Sequence, residues 1–447
     1  MQNDSRTWVI IMGAAGRDFH NFNTVFRSDP LTRVVAFTAA QFPDIAGRTY
    51  PPELSGPLYP SGIPIIEESE MIPLIKRERV NWVYFSYSDI SHADVMHKAS
   101  TVLAAAASFG LLGPDRTAIP FRRPVISVCA VRTGVGKSAA TRRVARHFLE
   151  IGRQVSVIRH PMPYGDLEAQ RVQRFGGLDD LEQSQATVEE REEYKPLLRM
   201  GLTVFAGVDY AQILHRTEEN ADLVIWDGGN NDLPFLQSDL HIVLVDPLRP
   251  GDETGFHPGE ANLRMADVVL INKADSTTPE QLDQARTSVD SIVGDGVPVI
   301  LADSVITVDE PEQVAGKRVL VVGDGPTLTH GGMSYGAGTI AAQKFAGRRD
   351  FAGPEFRRGQ HRGRLRPIPP LSGQNPSPGL QPSTVGRPGS NAECLRRRSG
   401  PLLHTLGPDP LINVDKPMAA VHYELQERGG RLTEILNDFN YRRLVDG

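Results

Sequence analysis

The chain contains the stretch Val125-Ile-Ser-Val-Cys-Ala-Val-Arg-Thr-Gly-Val-Gly-Lys-Ser138, in which an apolar run leads into a turn with two glycines. The apolar run predicts a β-strand buried on both faces, and the residues from Lys137 onward predict a helix. In this order they indicate a phosphate-binding P-loop, because backbone N–H groups gather at the positive end of the helix dipole. The stretch therefore predicts a nucleoside triphosphate site on an α/β fold.

The residue types within the loop predict separate roles. We expect Lys137 to neutralise the β- and γ-phosphate oxygens and Ser138 to ligate Mg²⁺. Valine occupies position 131, where the usual P-loop has glycine, so the deviant form Lys-Gly-Gly-x-Gly-Lys-Thr is the better match, with Arg132 in place of its signature lysine. The predicted nucleotide-binding residues of the loop are Arg132, Thr133, Gly134, Val135, Gly136, Lys137 and Ser138.

Composition narrows the class of protein. The 447 residues are 40% hydrophobic, which is enough for two or three domains with cores of their own. Only Cys129 and Cys394 are present, so the sequence predicts no disulfide framework and a reducing cytoplasm. The formal net charge of −6 argues against general nucleic-acid binding. Neither a secretory leader nor a membrane-spanning run is expected.

Residues 1–120 alternate strand and helix patterns and predict an N-terminal Rossmann-like domain with a parallel sheet. Predicted strands cover residues 8–12, 32–38 and 81–86. The turn Gly13-x-x-Gly16 follows the first strand and is half of a dinucleotide fingerprint, or else a plain tight turn. Arg17, His20 and Asn21 favour an anion-binding loop here.

Residues 121–305 predict the P-loop nucleotide-binding domain, with further buried strands at 154–159, 221–226, 240–246, 267–271 and 297–301. Asp227 ends the second of these, at the position of a Walker B carboxylate that would orient Mg²⁺. Residues 306–447 predict a smaller C-terminal α/β region. The expected fold class is α/β with parallel, doubly wound sheets.

Asn272-Lys273-Ala274-Asp275 follows a buried strand and matches the motif Asn-Lys-x-Asp. In GTPases the carboxylate of this motif accepts hydrogen bonds from guanine, a pairing that adenine does not offer. Asn272, Lys273 and Asp275 are therefore further predicted nucleotide contacts. The pattern leaves ATP and GTP both open.

Cationic side chains surround the predicted triphosphate loop at or near strand ends. Arginine recognises phosphate through two hydrogen bonds at once, so this charge fits a second, anionic substrate. The residues concerned are Arg132, Arg159, His160, Arg249, His257 and Arg264.

At these motifs the chain resembles the cyclic 2,3-diphosphoglycerate synthetase family of the deviant P-loop class. The resemblance covers roughly residues 5–345 and a short C-terminal stretch. Its matching segments are 12–23, 130–138, 157–165, 227–232, 257–275 and 327–344.

The resemblance implies ATP-dependent closure of a phosphoanhydride between the two phosphates of 2,3-bisphosphoglycerate. The γ-phosphoryl group would pass to one substrate phosphate, and the other would then attack with loss of inorganic phosphate. Lys137, Ser138 and Asp227 would serve ATP·Mg²⁺, with Arg159 and His160 completing the catalytic set. From their charge and placement, the expected contacts to the small phosphorylated substrate are Arg17, His20, Arg249, His257 and Arg264.

Two other functions remain open from the sequence. Asn272–Asp275 also fits a GTPase with a regulatory or chaperone role. A nucleotide-sensing protein that hydrolyses slowly is the third alternative. The sequence leaves the oligomeric state open, and a homodimer is one alternative because closed dimers are common for such folds.

The stretch 347–400 has eleven arginines, eight prolines and nine glycines but no lysine. The family resemblance is lost between about residues 346 and 410 and returns at residue 411. We expect residues 346–410 to be either a disordered insertion or out-of-frame translation, and an unbroken native reading frame on resequencing would contradict the second alternative.

Overall fold

The computed structural model describes residues 5–14, 16–39, 45–160, 165–184, 186–219, 221–228, 232–317, 319–322, 336–345, 402–404 and 418–445. The strands are β1 Thr7–Met12, β2 Thr32–Ala39, β3 Thr49–Tyr50, β4 Ile63–Glu67, β5 Trp82–Phe85, β6 Ile90–Ser91, β7 Ser108–Gly110, β8 Val125–Ala130, β9 Val155–Arg159, β10 Gln173–Phe175, β11 Thr203–Ala206, β12 Leu223–Asp227, β13 Leu240–Val245, β14 Phe256–His257, β15 Val268–Ile271, β16 Val299–Val308, β17 Leu320–Val322, β18 Leu402–His404 and β19 Met418–Glu427.

The α-helices are α1 Arg17–Asn21, α2 Pro52–Ser55, α3 Met71–Glu78, α4 His92–Ala104, α5 Pro114–Thr117, α6 Lys137–Glu150, α7 Leu178–Gln183, α8 Val188–Arg199, α9 Tyr210–Thr217, α10 Asp252–Gly255, α11 Gly259–Arg264, α12 Pro279–Asp290, α13 Ala337–Phe345 and α14 Arg431–Asn440. Short 3-10 turns cover Glu68–Glu70, Ala274–Ser276 and Pro311–Gln313, and π-helical turns cover Phe22–Phe26 and Tyr441–Val445.

The chain forms two compact units. The first consists of Met1–Val305 together with Glu424–Gly447, and the second of Ile306–Tyr423. The predicted domain division at residues 120 and 305 stays a prediction. The arginine-rich stretch 346–410 lies outside the described residues, except for Leu402–His404 in β18.

The N-terminal sheet of the first unit has the strand order β3-β4-β2-β1-β5-β7. All neighbouring pairs are parallel except β3 with β4. β1 lies at the centre, with Val9 and Ile11 in one core cluster and Ile10 and Met12 in another. This strand is therefore buried on both faces, as its continuous apolar sequence predicts.

The second sheet of the first unit runs β10-β11-β9-β12-β8-β13-β15-β16. Its pairs are parallel except β10 with β11. Every residue of β8 is buried. Helix α6 covers β8 and β12 with a face that includes Ala140, Val144 and Phe148, which are spaced four residues apart. The predicted α/β class with parallel sheets is confirmed.

The second unit contains the parallel strands β17, β18 and the first part of β19. Its apolar cluster includes Ile306 and Val308 from the end of β16, Ala341 and Ala342 from α13, and Val421 from β19. Across the described residues, no helix is both long enough and apolar enough to span a membrane.

Candidate functional site

The predicted P-loop forms the turn between β8 and α6. Gly134 and Gly136 adopt φ values of +80° and +112°, which let the backbone curl before Lys137 begins the helix. A Cβ atom on Gly136 would lie 2.3 Å from Asn272 Nδ2. Glycine is therefore required at position 136 by the left-handed backbone and by the close approach of the neighbouring turn.

Lys137, Asp227 and Arg159 form a buried charge cluster beside the loop. The register of β12 and β9 places Asp227 opposite Arg159, where the ends of the two strands lie side by side. Lys137 Nζ lies 2.6 Å from Asp227 Oδ1, and Arg159 Nη1 lies 2.5 Å from Asp227 Oδ2. Burial opposes ionisation of Asp227, but the two cations outweigh it and lower its pKa to about 2. Asp227 is consequently a carboxylate at physiological pH.

This cluster continues beyond the three residues. Lys137 also donates to the carbonyl of Gly228, and Arg159 pairs with Glu193 of α8. The predicted catalytic residues Lys137, Asp227 and Arg159 thus meet at one point on the sheet edge.

Asp227 and Ser138 are the residues predicted to hold Mg²⁺. Ser138 is the second residue of α6, and Asp227 is a buried, ionised carboxylate next to Lys137. Mg²⁺ prefers oxygen ligands and usually takes only one or two from protein side chains, with the rest from phosphates and water. No cluster of three or more His, Cys, Asp or Glu side chains suited to a metal occurs in the described residues. The donor set fits a magnesium ion shared with a triphosphate.

The Asn-Lys-x-Asp turn after β15 supports the P-loop backbone. Asn272 Nδ2 donates to the Val135 carbonyl at 2.8 Å, and Lys273 Nζ donates to the Gly134 carbonyl at 2.7 Å. Lys273 also pairs with Asp246 Oδ2 at 2.7 Å. Burial lowers the pKa of Lys273, and Asp246 opposes that shift.

Asp275, the last residue of this motif, is exposed and accepts a hydrogen bond from the Ser304 backbone N–H at 2.9 Å. Its carboxylate therefore remains reachable from solvent, as recognition of a base requires. Guanine recognition by Asp275 stays a prediction.

Arg132 connects the P-loop to the N-terminal sheet. Its guanidinium lies 2.7 Å from Asp89 and 2.8 Å from Asp252, and 3.5 Å from the centre of the Phe256 ring. Asp89 follows β5, and β6 pairs with β14 just beyond it. The sequence reasoning missed Asp89. The sequence signal that could have identified Asp89 as a site residue was its position after a predicted strand, at the carboxyl edge of the N-terminal sheet.

His160 lies against the turn that follows β1. A Cβ atom on Gly16, whose φ is +154°, would overlap the His160 ring. His20 stacks on Phe235 with ring centres 3.9 Å apart, and its Nε2 lies 2.7 Å from the Thr117 carbonyl. Burial, aided by the charge of Arg17, lowers the pKa of His20 well below its ordinary value. The structure thus brings His160 and His20 close to the same turn.

The remaining predicted substrate residues lie in different settings. Arg249 pairs with Asp246 at 3.0 Å. Arg264 pairs with Glu260 at 2.6 Å, and its side chain is 57% exposed. Arg17 and His257 line one small polar pocket, with a volume of about 20 Å³. The five predicted substrate residues are therefore not all part of one cluster.

Asp232 and Asn21 also line this pocket. Asn21 stands in the predicted anion-binding loop, whereas Asp232 was not among the predicted site residues. Both are buried, with exposed fractions of 4% and 2%. Burial raises the pKa of Asp232 to about 7, with Arg17 opposing the shift. Asp232 is the last residue of segment 227–232, one of the segments that carry the family resemblance. A charged residue at the end of that segment was the sequence signal that could have identified it.

A parallel sheet, a glycine turn that opens a helix with Lys137 and Ser138, and a buried carboxylate on the adjacent strand define a protein of the P-loop class. A scan against protein-family models found no match. Among curated proteins, the chain is 47% identical over 443 residues to arginine synthetase ArcE from Thermococcus kodakarensis, and the match covers 98% of both chains. The chain belongs to the family of this arginine synthetase.

Two solved structures that match parts of the chain share little sequence with it. LpxK from Aquifex aeolicus in complex with ATP is 12% identical with a TM-score of 0.44, covering 77% of this chain and 95% of that chain. A ParA family ATPase from Chlorobium tepidum is 14% identical with a TM-score of 0.23, covering 40% and 85%. The assignment to the cyclic 2,3-diphosphoglycerate synthetase family stays a prediction.

Proposed function

We propose that this protein is a nucleoside triphosphate-dependent synthetase that builds the guanidino group of arginine. The observation that carries the proposal is the cluster of Lys137, Asp227 and Arg159 at the P-loop, in a chain 47% identical to an arginine synthetase. The cluster supplies what phosphoryl transfer needs, namely positioned cations and a buried carboxylate. The name of the relative supplies the product.

The chemistry follows from the carbon that must be activated. The guanidino carbon of arginine has the same oxidation level as the carbon of a ureido group. Transfer of the γ-phosphoryl group to the ureido oxygen releases the nucleoside diphosphate and converts that oxygen into a leaving group. Ammonia then adds to the carbon, the carbon–oxygen bond breaks, and inorganic phosphate departs. The substrate would be a δ-ureido amino acid such as L-citrulline, together with ammonia.

In this reaction the residues keep the roles expected from the loop. Lys137 would neutralise the transferring phosphoryl group, and the backbone of residues 132–136 would bind the β-phosphate. Ser138 and Asp227 would hold Mg²⁺, which neutralises charge on the triphosphate oxygens. Arg159 holds Asp227 in its ionised form and fixes its direction.

Closure of a cyclic anhydride in 2,3-bisphosphoglycerate is the second candidate, and the sequence resemblance together with the cationic strand ends favours it. It uses the same two steps, phosphorylation of an oxygen and displacement of phosphate. Arg159, Arg249 and Arg264 each pair with a carboxylate, however, which reduces the positive charge offered to a bisphosphate. A GTPase role remains the third candidate, because Asn272 and Lys273 contact the P-loop.

Product analysis of the purified chain separates these candidates. The protein is incubated with Mg²⁺ and either ATP or GTP, in one series with L-citrulline and ammonium and in another with 2,3-bisphosphoglycerate. Phosphorus NMR follows the phosphates, and amino-acid chromatography follows arginine. We expect arginine to form in the first series and not with Lys137→Ala. A cyclic anhydride resonance in the second series would replace the proposal with the second candidate, and triphosphate loss that needs neither acceptor would favour the GTPase.

A further inference from the structure

The polar pocket lies where two sheet edges meet within the first unit. Arg17 and Asn21 follow β1, Ser86 follows β5, and Asp232 follows β12. The carboxyl ends of parallel strands are the usual place for ligands in α/β folds. Asp232 is also close to the P-loop strand, because the Cys129 thiol lies 3.5 Å from the Asp232 carbonyl. The pocket therefore lies beside β8, the strand that leads into the P-loop.

Arg17 supplies the positive charge of the pocket. It is 7% exposed, with Nη1 donating to the Leu233 carbonyl and Nη2 to Thr117 Oγ1, both at 3.1 Å. Among the described residues these two hydrogen bonds are its only ones, although a guanidinium has five N–H groups. Burial lowers the pKa of Arg17 to about 10, which still leaves it cationic at neutral pH. The remaining N–H groups suit a carboxylate, which arginine binds through two oxygens.

Asp232 and Asn21 supply the complementary acceptors. Within the described part of the chain, Asp232 Oδ1 and Asn21 Oδ1 have no hydrogen-bond partner although both are buried. Asn21 Nδ2 is already used by Ser86 Oγ at 2.9 Å, and Ser88 hydrogen bonds to the Asp232 carboxyl. A buried acceptor without a donor is costly, so two of them in one pocket point to a ligand that brings donors. An ammonium group brings three.

We propose that this pocket binds the head group of a free α-amino acid, with Arg17 holding the α-carboxylate and Asp232 with Asn21 holding the α-ammonium. This inference rests on the proposed function and names the site of its amino-acid substrate. It also changes the ligand expected at Arg17 and His257, from a phosphate to a zwitterion. His257 adds no charge, because burial and Arg17 lower its pKa to about 4.

Analogues of arginine that lack one head group test each contact separately. Agmatine has no carboxylate, and 5-guanidinopentanoate has no ammonium. Calorimetric titration of the full chain measures the dissociation constants of L-arginine and these two analogues for wild type, Arg17→Met and Asp232→Asn. We expect Arg17→Met to weaken L-arginine binding at least about tenfold and to leave agmatine unchanged. Asp232→Asn should weaken L-arginine by a similar factor and leave 5-guanidinopentanoate unchanged.

Arg286→Met serves as the control, because Arg286 forms an exposed pair with Asp290 on α12 and does not line the pocket. Circular dichroism checks that each variant folds. If both pocket variants bind L-arginine as wild type does, or if each variant weakens all three ligands equally, the head-group assignment is overturned. Arginine formation by wild type with unaltered KM in both variants would reject the pocket and keep the proposed function. Wild type that neither binds nor forms arginine would reject both.

Discussion

At the scale of single residues, Asp232 couples the pocket to pH. Its pKa of about 7 in the folded protein, raised by burial, exceeds the value of about 3.9 in an unfolded chain. Between these two values the folded state holds a proton that the unfolded state has lost. The free energy of unfolding therefore falls as pH rises through this window and levels off above about pH 7.

The variant Asp232→Asn tests this dependence. Because the amide never ionises, we expect the variant to be more stable than wild type at pH 8, by at most about 4 kcal/mol, and equal to it near pH 4. Denaturant unfolding at both pH values measures the difference. If the difference in unfolding free energy between the two proteins is the same at pH 4 and pH 8, the Asp232 carboxyl is not held protonated by burial.

Asp275 is the residue predicted to recognise the base of the nucleotide. We expect Asp275→Ala to lower kcat/KM for GTP relative to ATP by at least about 100-fold, since guanine N–H donors would lose their acceptor. Parallel kinetics with the two triphosphates give the ratio. Ser304→Ala keeps the backbone N–H that bonds Asp275 and should leave the ratio as in wild type. An Asp275→Ala ratio equal to that of wild type would show that this carboxylate does not read the base.

At the scale of elements, the P-loop depends on the turn after β15. Gly136→Ala should destabilise the protein by more than about 2 kcal/mol, because the new methyl group meets both a left-handed backbone and Asn272. Gly152→Ala is the matched control, with φ of +79° and no atom within 4 Å of the added Cβ. It should cost only about 1 kcal/mol. If Gly136→Ala and Gly152→Ala lose the same unfolding free energy, the contact with Asn272 does not exclude a side chain at position 136.

The long apolar elements were predictable from sequence, and the short or half-exposed ones were not. The strands β8, β12, β13 and β15 lie where continuous apolar runs placed them, because a strand buried on both faces excludes polar residues. β10 and β11 were missed. β10 is an antiparallel edge strand of three residues with one buried position, so its sequence carries little periodic signal.

At the scale of the whole molecule, the last described α-helix packs on the helix that follows the P-loop. Helix α14 packs on α6, with Phe148 and Phe439 ring centres 6.1 Å apart. Arg143 of α6 lies 3.0 Å from Glu427 and 2.6 Å from Thr433 Oγ1. The helix that carries Lys137 is therefore supported by residues almost 300 positions later in the sequence.

Leu436→Ala tests that support. Leu436 is fully buried, so its truncation should cost about 2–5 kcal/mol and lower the thermal midpoint by several degrees. Tyr441→Ala removes a larger side chain that is 59% exposed and should have little effect. Differential scanning calorimetry measures both. If the two variants unfold at the same temperature, α14 does not stabilise the first unit.

The sequence by itself determined the α/β class, the P-loop and the candidate residues Lys137, Ser138 and Asp227. These signals are local, since a buried strand, a glycine turn and a helix start are each written in consecutive residues. Only the tertiary structure decided which charges meet. Arg159 faces Asp227, Arg132 faces Asp89, and Arg17 shares a pocket with Asp232. The physical reason is that ion pairing and burial depend on contacts between distant parts of the chain, and these contacts, not residue type, decide which cations remain available to a ligand.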